Sequence, residues 1–291
     1  LVFDTDSDPD FDGDGAAVLR VDVGVSPLLS PLFCLLSEAR SGKRWGGFGL
    51  RECGDGGSIG GFLLVGELIE GMCMNEQRER VVGELMDPGV VAVVRAPGAD
   101  VVPRMTEALL AGGVRAVEIT MTTPDAIGVI RRVAGEFGER VLLGVGTVLD
   151  GATAEAAMDA GARFVVTPVC RTELVEVCHA RGCPVMLGAY TPTEAQRAHE
   201  AGADFVKLFP ADGLGVGYIK ALRAPLPHLR IVPTGGVTAE NAAEFIRAGC
   251  AAVGAGSSLV SGKALREGAW GEIEALAEAF VRGVREGRGG R

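Results

Sequence analysis

Two short stretches carry residue types suited to covalent chemistry. In Asp204-Phe-Val-Lys-Leu-Phe-Pro-Ala211 a lysine stands in the middle of an apolar run that stops at a proline. Side chains alternate along a strand, so Phe205, Lys207 and Phe209 share one face and Val206 and Leu208 the other. Lysine is rarely buried without a partner, and low-dielectric surroundings disfavour an ammonium relative to a free amine. A free amine attacks a carbonyl carbon and forms a Schiff base. The second stretch, Ala116-Val-Glu-Ile-Thr-Met121, places one carboxylate in an otherwise apolar or small run. Glu118 and Thr120 share a face opposite Val117 and Ile119. A carboxylate facing inward there can shuttle protons beside Lys207, or merely neutralise it.

Both stretches belong to a regular alternation of elements. After a charged amphipathic helix over Glu76–Met86 and the turn Asp87-Pro88-Gly89, the pattern predicts strands at Val90–Arg95, Ala116–Met121, Val141–Thr147, Phe164–Thr167, Val185–Ala189, Phe205–Leu208, Ile231–Pro233 and Ala252–Gly254. Helical segments lie between them, and several end in Gly turns such as Ala160-Gly-Ala162 and Ala201-Gly-Ala203, glycine being the usual residue just past a helix. The last helix is expected over Trp270–Val284. Eight strand–helix repeats at this length predict a (β/α)8 TIM barrel. A doubly wound sheet is the alternative, although no G-x-G-x-x-G follows the first strand.

Barrel enzymes build their sites at the C-terminal ends of strands. The ends found there are Arg95, Gly144-Val-Gly-Thr147, Thr167-Pro168, Thr234-Gly-Gly-Val237 and Gly254-Ala-Gly-Ser-Ser258. The last two follow strands seven and eight, where glycine amides and a helix N-terminus commonly hold phosphate. Arg95 can take a carboxylate or phosphate by charge-assisted hydrogen bonds, or stand solvated on the rim. His179, His199 and His228 lie off the strands and read as neither bases nor metal ligands.

The net charge of -10 argues against nucleic acid as a partner. No apolar run reaches the roughly 18–20 residues of a membrane span. The seven cysteines are scattered without a C-x-x-C pair, which fits a reducing, cytoplasmic setting better than a disulfide or zinc framework; Cys178-His179 and Cys183 read as helix packing. Residues 1–73 carry twelve acidic and five basic side chains and several Gly-Gly pairs. They are expected to form a low-complexity extension, disordered or foreign to the native product, ahead of a catalytic domain over 74–291. Asp8, Asp10, Asp12 and Gly13 match the front of a calcium loop, but its twelfth position is Leu19, so a solvated acidic tail is the expectation.

From about Glu76 to Glu286 the chain resembles the class I 2-keto-3-deoxy-6-phosphogluconate (KDPG) / 4-hydroxy-2-oxoglutarate (KHG) aldolases. The resemblance rests on Gly112-Gly-Val-Arg-Ala-Val-Glu-Ile-Thr120, Gly144-Val-Gly-Thr-Val148, Phe205-Val-Lys-Leu-Phe-Pro210, Pro233-Thr-Gly-Gly-Val237 and Gly254-Ala-Gly-Ser257, in family order. It implies a lyase in which Lys207 forms the Schiff base and Glu118 is the acid/base. It further implies that Thr147 holds the pyruvyl carboxylate, Pro168 and Phe209 shape the apolar wall, and Thr234, Gly235, Gly236 and Ser257 line the phosphate end. The covalent imine would replace any metal, the substrate would be a phosphorylated 2-keto acid, and the assembly a homotrimer. One departure stands out: Thr122 occupies a position where many members carry a carboxylate-binding arginine, and that role is carried to Arg95 instead. KDPG is the expected substrate. The galactonate epimer and 4-hydroxy-2-oxoglutarate are the rivals, and a phosphate-binding barrel without a Schiff base is the alternative outside the class.

Overall fold

The computed structural model describes the backbone of residues 58–289 and the side chains of residues 71–289. The readings of residues 1–57, the calcium-like loop among them, lie outside the described residues. The chain divides between Gly71 and Met72, and the second unit is the barrel.

The first helix, α1 (Ser58–Met86), starts well ahead of the amphipathic segment that the sequence made legible. After it the strands are β1 (Val90–Val94), β2 (Ala116–Thr120), β3 (Leu142–Gly146), β4 (Phe164–Val166), β5 (Val185–Ala189), β6 (Phe205–Leu208), β7 (Ile231–Pro233) and β8 (Val253–Ala255). The helices between and after them are α2 (Val102–Ala111), α3 (Ala126–Phe137), α4 (Gly151–Asp159), α5 (Leu174–His179), α6 (Pro192–Glu200), α7 (Gly215–Arg223), α8 (Ala242–Arg247), α9 (Gly262–Glu267) and α10 (Trp270–Gly287). All strand pairs are parallel, each strand lies beside the next in sequence, and β8 returns to β1. A bridge between Thr234 and Gly254 joins β7 to β8 and closes the ring. The expected (β/α)8 barrel is therefore the fold, with strand ends that differ from the sequence reading by a residue or so.

The strands sort their side chains into two apolar shells. Outward residues such as Val117, Ile119, Val145, Val165, Leu187, Val206 and Leu208 pack under the helices. Inward residues Val91, Ala116, Leu142, Phe164, Met186, Phe205 and Val232 form a separate cluster with Val81, Val82 and Leu85 of α1. The amphipathic end of α1 thus plugs the N-terminal mouth of the barrel with hydrocarbon. Burying a side chain of this size contributes roughly 1.5–3 kcal/mol, so three of them give the helix a firm seat.

Polar contacts fix the plug's orientation. Arg78 Nη1 donates to His179 Nδ1 at 2.6 Å, and His179 Nε2 lies 2.9 Å from Asp204 Oδ2. Arginine only donates, so Nδ1 accepts and the ring proton sits on Nε2, facing the carboxylate. Asp204 also accepts from the Val185 amide at 2.9 Å and pairs with Arg78 Nε at 3.5 Å. Glu84 pairs with Arg163 at 3.3 Å and Arg115 at 3.8 Å. Asp204 immediately precedes the strand that carries Lys207, so this network ties α1, α5, β5 and β6 together. Replacing Asp204 with Ala leaves the His179 Nε2 proton and the Val185 amide without their acceptor and removes the ion pair to Arg78; the expected cost is about 1.5–3 kcal/mol, read as a lower urea midpoint at an unchanged m-value.

Candidate active site

Above the plug the barrel interior changes from hydrocarbon to chemistry. Lys207 and Glu118 are both buried, at 6 % and 2 % exposure, among the few buried charged or polar side chains of the described residues. Lys207 Nζ lies 3.8 Å from Glu118 Oε1 and 5.2 Å from the centroid of the Phe209 ring, within reach of a cation–π attraction. Each charge has a partner, as burial demands. Alternation along β2 and β6 brings both inward, as the sequence predicts.

Space for the Glu118 carboxylate is made by a glycine on the neighbouring strand. Gly146 stands opposite Thr120 on β3, and a Cβ there would overlap the Glu118 carboxylate. Gly144 likewise makes room for the Phe164 ring, and Gly254 for the Thr234 hydroxyl. These glycines read from sequence as features of strand ends; their observed role is clearance inside the barrel. No local pattern shows this, because each faces a side chain from another strand.

The remaining expected residues surround the C-terminal mouth. Thr147 and Pro168 are partly buried just beyond β3 and β4, Phe209 is partly buried beyond β6, and Arg95 is exposed beyond β1. Arg95 makes no ion pair or side-chain hydrogen bond with another of the described residues. Thr122, in the place of the common arginine, shares a hydrogen bond with Thr120 (Oγ1–Oγ1 2.8 Å). At the far side, Thr234 is buried, Gly235 and Gly236 take left-handed backbone (φ 95° and 67°), and Ser257 is exposed. A side chain at Gly236 would crowd Asp212 at 2.7 Å and strain a backbone that suits glycine.

Two residues outside the expected set hold this glycine turn. Asn241 donates from Nδ2 to the Gly236 carbonyl at 2.9 Å and accepts from the Thr238 amide at 2.8 Å. Ser258 donates to the Val237 carbonyl at 2.6 Å. The signal for Asn241 is its place three residues after Thr238, from which its side chain reaches back to the Thr238 amide as in a capping box. Nearby, the amides of Tyr190 and Thr191 and the Thr191 hydroxyl hold the Glu194 carboxyl below the usual carboxylate range, completing a capping box that starts α6. Cys178 and Cys183 are buried packing residues; burial pushes the Cys178 thiol up to about 12 and raises that of Cys183.

The barrel interior thus holds a buried lysine–carboxylate pair above an apolar plug, with glycine turns following the seventh strand. The pattern described as Aldolase: KDPG and KHG aldolase matches residues 82–276, and the chain belongs to that family. It is 36% identical over 199 residues to the 2-dehydro-3-deoxy-6-phosphogalactonate aldolase of Escherichia coli, covering 68% of this chain and 95% of the relative. It is 36% identical over 191 residues to the 2-dehydro-3-deoxy-phosphogluconate aldolase of Pseudomonas aeruginosa, covering 65% and 86%. Among solved structures it is similar to the KDPG aldolase of Legionella pneumophila, captured with pyruvate as a covalent carbinolamine (29% identity, TM-score 0.62, covering 66% of this chain and 93% of that one).

The crowding at Gly146 yields a test. In Gly146→Ala the new methyl group meets the flexible end of Glu118 rather than backbone, so the fold should tolerate it while the carboxylate swings away from Lys207. The expected result is aldol-cleavage activity lowered about 100-fold, the scale of a misplaced catalytic group, with a thermal midpoint within about 2–4 °C of the parent.

Proposed function

We propose that this protein is a Schiff-base aldolase that cleaves 2-keto-3-deoxy-6-phosphogluconate reversibly to pyruvate and glyceraldehyde 3-phosphate. The observation that carries the reading is the buried Lys207–Glu118 pair, with 3.8 Å between Nζ and Oε1. Lys207 adds to the C2 carbonyl of the keto acid to give a carbinolamine, and loss of water leaves a protonated imine. The imine accepts the electron pair of the C3–C4 bond as that bond breaks, while the C4 hydroxyl gives up its proton and becomes the aldehyde. Glu118 carries protons to and from the carbinolamine oxygen and C3 of the enamine, directly or through water. Protonation at C3 and hydrolysis release pyruvate.

Around this centre, Arg95 and Thr147 take the substrate carboxylate, Pro168 and Phe209 form the apolar wall, and Thr234, Gly235, Gly236 and Ser257 receive the phosphate. The covalent imine supplies the electron sink, so the mechanism calls on no metal. The galactonate epimer is the second reading, supported by the 36% identity to the 2-dehydro-3-deoxy-6-phosphogalactonate aldolase of Escherichia coli; the two compounds differ at one carbon, and parallel assays of both and of 4-hydroxy-2-oxoglutarate rank them. The free thiols Cys73, Cys170, Cys178, Cys183 and Cys250 fit a cytoplasmic setting, and among the described residues no helix is long and apolar enough to cross a membrane.

The deciding experiment is borohydride reduction in the presence of pyruvate with peptide mass mapping. A reduced pyruvyl adduct on the Lys207 peptide, absent in Lys207→Ala, is expected. An unlabelled, folded wild type would remove the Schiff base and leave a phosphate-binding barrel of another kind. We also place the protein in a homotrimer, as the family resemblance implies; sedimentation equilibrium should return three times the chain mass, and a monomer mass would overturn this.

A further inference from the structure

Thr167 follows β4, is 0 % exposed, and uses its hydroxyl twice. Oγ1 donates to the Val169 carbonyl at 2.6 Å and accepts from the Gly188 amide at 3.0 Å. Its own amide still donates to Met186 of β5 at 3.0 Å. A continued parallel ladder would offer the Thr167 carbonyl to Gly188; the hydroxyl takes that place, which frees the chain to turn inward at Pro168. The turn needs room, and Gly188 provides it: a Cβ on Gly188 would overlap the Pro168 carbonyl group and the Val169 amide.

Gly188 is the register partner of Lys207 on the next strand. Gly188 and Lys207 therefore stand level on β5 and β6, and the Thr167 hydroxyl bonds the Gly188 amide from just beyond β4. The wall next to the lysine on its β5 side is the Pro168–Val169 peptide, seated on a glycine and pinned by one buried hydroxyl. The hydroxyl reaches the Val169 carbonyl two residues on, closing a tight turn around the peptide that lies over Gly188.

We propose that Thr167 is a positioning residue for the reaction at Lys207, its hydroxyl fixing the Pro168–Val169 peptide over Gly188 and so setting the clearance for the keto acid bound to the lysine. This rests on the Schiff-base reading above. Thr167 touches no reacting atom; it acts through the peptide it holds. The pinned wall favours one orientation of the pyruvyl group, and orientation at the nucleophile is where small displacements are most costly.

Thr167→Val keeps the shape and removes the hydroxyl, whereas Thr167→Ser keeps the hydroxyl. Two measurements are made on each: borohydride inactivation at graded pyruvate, and kcat and KM for cleavage of the phosphorylated keto acid. For Thr167→Val the half-saturating pyruvate should rise and kcat/KM fall by roughly 10-fold or more, while Thr167→Ser stays within about twofold of wild type. Gly188→Ala displaces the same peptide from the other side and should reproduce the loss; it serves if Thr167→Val does not fold. Wild-type kinetics in a folded Thr167→Val, or a loss that Thr167→Ser does not rescue, would overturn the positioning role. A wild type that forms no pyruvyl adduct would instead bring down the Schiff-base reading itself, and this inference with it.

Discussion

The structure is built around the cost of keeping an amine and a carboxylate out of water. An unpaired charge in a dry interior is among the most expensive arrangements a protein can hold, so Lys207 and Glu118 need each other before either can do chemistry. Their strands are not adjacent, and the pair meets across the barrel's interior, where β3 gives up a side chain at Gly146 to admit the Glu118 carboxylate. Inward glycines at 144, 146, 188 and 254 are thus a requirement of the pair and of the residues around it, obtained by leaving out hydrocarbon that would otherwise fill the core.

The helices and the plug supply what those omissions remove. The outer shell of Val, Ile, Leu and Ala side chains is continuous around the ring, and the inner cluster fills the lower half down to α1. Stability and reactivity are therefore divided by depth: apolar packing below, polar and glycine-lined space above. The exit turns are then stiffened by side chains bonding to backbone, with Thr167, Asn241 and Ser258 each fixing a loop that approaches the mouth.

Much of this was legible from the residues alone. Alternation assigned Lys207 and Glu118 to inward faces because a strand's two-residue period leaves no choice once Val206, Leu208, Val117 and Ile119 are outward. The eight repeats announced the barrel for the same reason. What stayed hidden depended on contacts between distant residues. Gly146 looks like any turn glycine until Glu118 is seen against it, and Thr167 looks like the last residue of a strand until Gly188 is seen bonded to it. The upstream part of α1 escaped because its glycines and apolar residues show no helical stripe, while the Glu76–Met86 part shows one clearly.

The plug beneath the site has a kinetic meaning. With Val81, Val82 and Leu85 packed against the inward strand residues at one end of the barrel, the Arg95 and Gly236 side is the end left for substrate and water. On the proposed chemistry the three-carbon keto fragment stays tethered to Lys207 at depth while the aldehyde fragment is cut loose nearer the rim. The aldehyde must then depart first, and the water that frees the tethered fragment follows it in through the same opening. Product order on this chemistry follows from the covalent tether, because the keto fragment cannot leave until water has cleaved its imine.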